Sequence, residues 1–145
     1  MRDLMNSLSL TPAFAPKAAV TDDTAQTSTI LDVRGCSAAM LSMTTGVLSD
    51  ANATFAVVIT ESDAVDSETT PTSLTGGTAV ADDDLIGTEV LAGFAFGDDT
   101  ETRKIGYRGG KRWIQATVTP TGNTGNLFLS GQWIRLMNLR PTANP

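Results

Sequence analysis

Residues 103–113, RKIGYRGGKRW, place five cations, two aromatic rings and a double glycine in one short segment. Three kinds of chemistry use such residues. A phosphate-binding loop needs a second glycine five positions before Gly110 and a Ser or Thr after Lys111. Those positions hold Ile105 and Arg112, so the match fails. A nucleic-acid surface combines basic side chains with stacking rings. The net charge of −6 makes nucleic acid an unexpected partner. A protein contact remains, because Arg, Tyr and Trp are the side chains that most enrich interfaces.

The rest of the chain offers little to a catalyst. It has no histidine, which excludes Ser-His-Asp and Cys-His arrangements and any histidine metal site. Cys36 is the only cysteine, so no disulfide forms within the chain, and it reads as a small buried residue beside a strand. Asp82-Asp83-Asp84 and Asp98-Asp99 carry oxygen ligands that suit a divalent ion, yet lack the spacing of a calcium loop. They read as solvated acidic turns. Asn52-Ala53-Thr54 matches a glycosylation triplet, but no secretory signal accompanies it. The chain is therefore expected to need no cofactor, to bind no small-molecule substrate and not to be an enzyme.

Charge is segregated along the sequence. Residues 1–101 hold all 16 acidic side chains and three cations, a net of −13, while residues 102–145 hold seven cations and no acid, a net of +7. Part of this imbalance must close internally, with basic strands beside acidic loops.

These residues need elements to position them. The hydrophobic fraction of 41 % over 145 residues suits one domain with one core. No sustained 3.6-residue pattern is present, whereas residues 53–61 alternate: Phe55, Val57 and Ile59 on one face, Thr54, Ala56, Val58 and Thr60 on the other. Residues 89–96 also read as strand, residues 61–79 as a long Ser/Thr loop with a short edge strand, and Asp82 to Gly87 as one helical turn with Asp82 as its N-cap. The expected fold is all-β, a single-domain β-sandwich of jelly-roll type spanning 21–145, preceded by an extended arm over 1–20. The arm carries Pro12 and Pro16 and shows no periodicity, so residues 1–16 are expected to be disordered in isolation.

Gly109-Gly110 marks a two-residue hairpin turn. Its register would pair Arg108 with Lys111, Tyr107 with Arg112 and Gly106 with Trp113. Ile105, Ile114, Ala116 and Val118 would then face the core, with Tyr107 and Arg112 stacked at its rim. Lys104, Arg108, Lys111 and Trp113 would share the outer face and meet an acidic surface. In residues 126–140, Leu127, Leu129, Trp133, Met137 and Leu139 lie on one side and Phe128, Ile134 and Leu136 on the other, with a bend expected at Gly131. A strand apolar on both sides is either central or an interface.

The opening MRDLMNSLSLTPAFAP, the stretch LDVRGCSAAMLSMTTGVLSDANATFAVVITESDA, the segment KIGYRGGKRWIQATVT and the basic, proline-containing tail together resemble a family of small structural proteins of tailed bacteriophages. Its most specific pieces are Gly106 to Trp113 and Val58 to Ala64. Proteins of this kind are usually encoded near the major capsid gene and act as decoration (cement) or minor capsid proteins. The resemblance implies a virion component on the capsid surface, assembled in the host cytoplasm. Its implied partners are the major capsid protein and further copies of itself, a trimer among the forms, with no membrane. A head–tail neck or tail component is the alternative, and a carbohydrate-binding β-sandwich using Trp113 or Trp133 as a sugar platform is the alternative of another class. The expected contact residues are Lys104, Arg108, Lys111, Trp113, Trp133, Arg135 and Arg140, with Leu4, Leu8, Leu10 and Phe14 of the arm.

Overall fold

The computed structural model describes residues 5–137. Two antiparallel sheets dominate it. The first has five strands in the order β1 (Leu8–Phe14), β13 (Leu127–Met137), β4 (Cys36–Leu48), β11 (Thr102–Tyr107) and β9 (Leu85–Ile86). The second runs β10 (Phe94–Ala95), β5 (Thr54–Ser62), β12 (Trp113–Thr121) and β2 (Gln26–Thr27). β3 (Leu31–Asp32) also pairs with β12, and β8 (Thr78–Ala79) with β5. β6 (Ala64–Val65) and β7 (Leu74–Thr75) form a small pair of their own. The all-β expectation holds.

Alternation puts one side of each long strand into a shared core. Phe55, Val57 and Ile59 of β5 and Ile114, Ala116 and Val118 of β12 are buried, as expected. Ala39, Leu41 and Met43 of β4, Ile105 and Tyr107 of β11, and Leu127 and Trp133 of β13 join them in one cluster. Each large apolar side chain so buried stabilises the fold by about 1.5–3 kcal/mol. Phe55 stacks on Phe94 with ring centroids 4.8 Å apart.

Four expectations are corrected. The first is the hairpin. β11 lies in the five-stranded sheet and β12 in the other, so Gly109-Gly110 carries the chain across the core from sheet to sheet. Neither glycine is among those with positive φ. Gly109 is needed for space, since a Cβ there would lie 2.6 Å from the Tyr107 hydroxyl. The apolar sides of Ile105 and Ile114 thus join one core from different sheets, which a tight turn would not allow.

The second is the arm. Leu8–Phe14 is an edge strand paired with β13 from Leu8↔Leu136 to Phe14↔Gly131. The irregularity expected at Gly131 lies opposite it, between Pro12 and Phe14, and Phe14 is buried with its ring against Gly131.

Third, residues 89–96 are not one strand. Glu89–Ala92 is a helical turn capped by Thr88, whose Oγ1 accepts a bond from Leu91 N–H at 3.2 Å. Glu89 then accepts from Ile59 N–H at 2.7 Å. Four residues are too few to show a period. Fourth, the turn at Asp82–Asp84 is 3-10, its N-cap is Ala81, and it ends at Leu85, not at Gly87, whose φ is 93°.

Candidate interaction surface

The cations of residues 103–113 are largely spent within the chain. Arg103 pairs with Asp98 at 2.7 Å and Glu101 at 2.8 Å. Arg108 Nε donates to the Asp83 carbonyl at 2.7 Å, and its backbone N–H to that of Asp84. Lys111 Nζ meets Asp63 at 2.5 Å, which raises the lysine's pKa. Arg112 bridges Asp32 and Glu68, each at 3.1 Å. Burial alone would raise the Asp32 carboxyl, but bonds from Arg112 and from Arg34 N–H hold it below the usual range. Lys104 is exposed and has no ion-pair partner among the described residues. Arg108 and Lys111, which the expected hairpin would set face to face, lie instead in the link between the two sheets, Lys111 paired with Asp63 and Arg108 bonded to the carbonyls of Asp83 and Asp84.

Trp113 is corrected as well. It does point away from the main core, yet only 4 % of it is exposed. Arg112 lies over its ring, 4.4 Å from the centroid, so the cation–π pair is Arg112–Trp113 and not Tyr107–Arg112. The loop carrying β6 and β7 folds against β5 and β12, held by Glu68 to Arg112 and by Asp63 to Lys111. Inside the loop, Asp66 accepts bonds from Thr72 Oγ1 and from the N–H groups of Thr72, Ser73 and Ser67, which keep its carboxyl well below the usual range. The Tyr107 hydroxyl is buried and donates to Glu61 at 2.7 Å while accepting from Lys111 N–H. Burial and that carboxylate push its pKa up.

Trp133 is 1 % exposed and donates from Nε1 to the Thr29 carbonyl at 2.9 Å. Neither tryptophan presents a ring on which a sugar could stack. Arg135 turns inward too, donating to the Asp32 carbonyl at 2.9 Å and to Ser9 Oγ at 3.1 Å. Cys36 is the first residue of β4 and only half-buried, not buried beside a strand, and desolvation raises its thiol pKa. Among the described residues no three acidic or sulfur side chains gather as a metal site. Asp98 and Asp99 instead accept from Ala95 and Leu48 N–H. Leu4 and Arg140 lie outside the described residues.

What remains open is the outer face of the five-stranded sheet. The strand registers align Leu10 with Ile134, Ile134 with Met40, Met40 with Gly106 and Gly106 with Ile86. These positions alternate with Trp133, Leu41 and Ile105, which face the core. Ile86 lies over Gly106, where an added Cβ would come within 3.1 Å of it. A second row sets Leu8 beside Leu136 and Ala38. Leu10 is 57 %, Ile86 60 % and Leu136 41 % exposed. The rows beyond are polar apart from Pro12: Gln132, Ser42 and Lys104 beside it, then Ser130, Thr44 and Thr102. Five strands about 4.8 Å apart make this face about 20 Å wide, and none of these positions is acidic.

Of the expected contact residues, the fold brings Leu8, Leu10 and Lys104 to this face. It sends Phe14, Trp133 and Arg135 inward, and Arg108, Lys111 and Trp113 to the charged loops. Sequence reasoning missed Met40 and Ile86 and left Ile134 and Leu136 unassigned. Ala38-Ala39-Met40-Leu41 carries the signal, because a strand apolar on both sides inside an acidic chain must cover a second surface. No helix among the described residues is long and apolar enough to cross a membrane. No protein-family model matches this chain, and neither curated proteins nor solved structures give a match.

Proposed function

We propose that this chain is a structural protein of a tailed-phage particle, a decoration protein that binds the major capsid shell and reinforces it. The observation that carries the reading is the acid-free apolar face of Leu8, Leu10, Met40, Ile86, Ile134 and Leu136 on a chain of net charge −6. A contiguous exposed patch of this kind marks an interaction site. The sequence resemblance supplies the particle. In this reading the two sheets form a jelly-roll-type sandwich, since β4, β5, β11, β12 and β13 alternate between sheets and β4–β13 and β5–β12 are central pairs.

The test is co-sedimentation of the purified chain with capsid shells that lack it. Saturable binding at a fixed ratio to the major capsid protein is the expected result. Met40→Ser with Ile134→Ser should abolish it, and Arg108→Glu with Lys111→Glu should not. A wild-type chain that stays in the supernatant overturns the proposal, as does full binding by the apolar-face variant. Location at the neck or tail of intact particles, at low copy number, would reassign the component.

A further inference from the structure

β1 is the outermost strand of its sheet, and its hydrogen bonding fixes which backbone groups look outward. Met137 N–H donates to the Ser7 carbonyl at 2.9 Å. The register then runs Leu8↔Leu136, Ser9↔Arg135, Leu10↔Ile134 and Thr11↔Trp133. In an antiparallel pair, alternate residues turn both backbone groups toward the neighbour. Ser7, Ser9 and Thr11 therefore serve β13, and Leu8, Leu10 and Pro12 face away. Pro12 has no N–H to leave unpaired, which is where an edge strand tolerates proline. Its carbonyl accepts from Thr29 Oγ1 at 2.6 Å, and that of Ala13 accepts from Thr29 N–H at 3.0 Å. The edge is closed from Pro12 onward. The N–H and C=O groups of Leu8 and Leu10 have no partner among the described residues.

The other edges differ. β9, β10 and β2 have two residues each. They lie in sequence beside Asp82–Asp84, Asp98-Asp99 and Asp22-Asp23. Short length and charge are the usual protections of a sheet edge. β1 has neither: it is seven residues long, and residues 5–16 contain no charged side chain.

We propose that β1 pairs antiparallel with β1 of a second copy of this chain, about a two-fold axis at Ser9. Leu8 then stands opposite Leu10 of the second copy, and Leu10 opposite its Leu8. Two donors and two acceptors from each copy close four backbone hydrogen bonds, leaving none of these groups open. The match is self-complementary, as a two-fold contact requires. Because the axis is normal to the sheet, the outer faces of both copies lie on the same side. The five strands become ten, and the Leu8 and Leu10 rows continue across the junction. Pairing at an uncharged edge also keeps the acidic loops out of the contact between two chains of net charge −6. The inference concerns the chain alone and does not rest on the particle reading.

Sedimentation and light scattering of the purified chain test it. The wild type should show a concentration-dependent species of twice 15.2 kDa. Leu10→Pro removes one outward N–H per copy and no bond to β13, and Leu10→Lys adds a charge at the junction. Both should run as monomers with unchanged circular dichroism. In a Cys36→Ala background, Ser9→Cys should form a disulfide-linked dimer, since the Cα atoms of such a pair stand about 4.5 Å apart. A wild type that is monomeric up to its solubility limit overturns the proposal. So does a dimer that both Leu10 variants leave intact, or a folded Ser9→Cys variant that fails to cross-link.

Discussion

The two sheets turn opposite kinds of outer face to their surroundings. On one, β12 places Trp113 outward, Arg112 lies over its ring and is itself tied to Glu68 of the 63–79 loop, and 4 % of the tryptophan is exposed. On the other, Leu10 sits at a comparable outward position and is 57 % exposed. Both follow from the same two-residue period. The difference is what the chain lays over each face. Charge was gathered where a loop had to be held down, and the face left open is the one with almost none. A cation-rich segment can therefore mark internal fastening.

The largest effect should come from emptying the covered face. Trp113→Ala removes a buried ring and should cost about 3–5 kcal/mol, read by urea unfolding. Met40→Ala, half-buried on the open face, should cost far less. Near-equal costs would break the contrast between the two faces.

A smaller effect should follow from unfastening the cover. Asp32→Asn with Glu68→Gln leaves Arg112 without a carboxylate. In a Trp133→Phe background, emission from Trp113 should shift to the red, and proteolysis within 66–72 should accelerate while the core stays folded. The same cover should respond to pH. Asp32 loses its proton more readily folded than unfolded. Its contribution is complete above about pH 4 and disappears as the pH falls through its lowered folded value. Tyr107 has the opposite sign: its raised pKa contributes below about pH 10 and is lost above it. Trp113 emission should be flat between those limits. A transition near neutrality would show that other groups hold the loop.

How much of this was legible in the sequence depends on range. The faces of β5, β12 and β13 could be read because alternation is local, and Phe55, Val57, Ile59, Ile114 and Val118 are all buried. Alternation also gave Trp113 its outward direction. It could not show that a residue some forty positions earlier returns to hold the arginine that covers that ring, since ion pairs such as Arg112–Glu68 join distant segments. Gly109-Gly110 misled because glycine answers two needs. The motif fits positive φ, but Gly109 serves the close approach of Tyr107. β1 was hidden by Pro12, a strand breaker everywhere except the edge position it occupies. The open apolar face emerged only with the register, which lines up Leu10, Ile134, Met40 and Ile86 from four separate segments.

The smallest effect on stability should come from the open face, and there it matters most that the number is small. Ile86 and Leu136 are 60 % and 41 % exposed. Replacing both by serine removes apolar surface that the isolated chain leaves largely in water. Surface substitutions away from special features usually fall within about 0.5 kcal/mol of neutral, so the urea midpoint should hardly move. Binding of an environment-sensitive apolar dye should fall, because its rows of apolar side chains have been interrupted. The covered face gives the control: serine at Thr117, half-buried on β12, should leave dye binding unchanged. If the Ile86 and Leu136 variant instead unfolds early, these side chains belong to the core of the chain, and the open face is a second covered one.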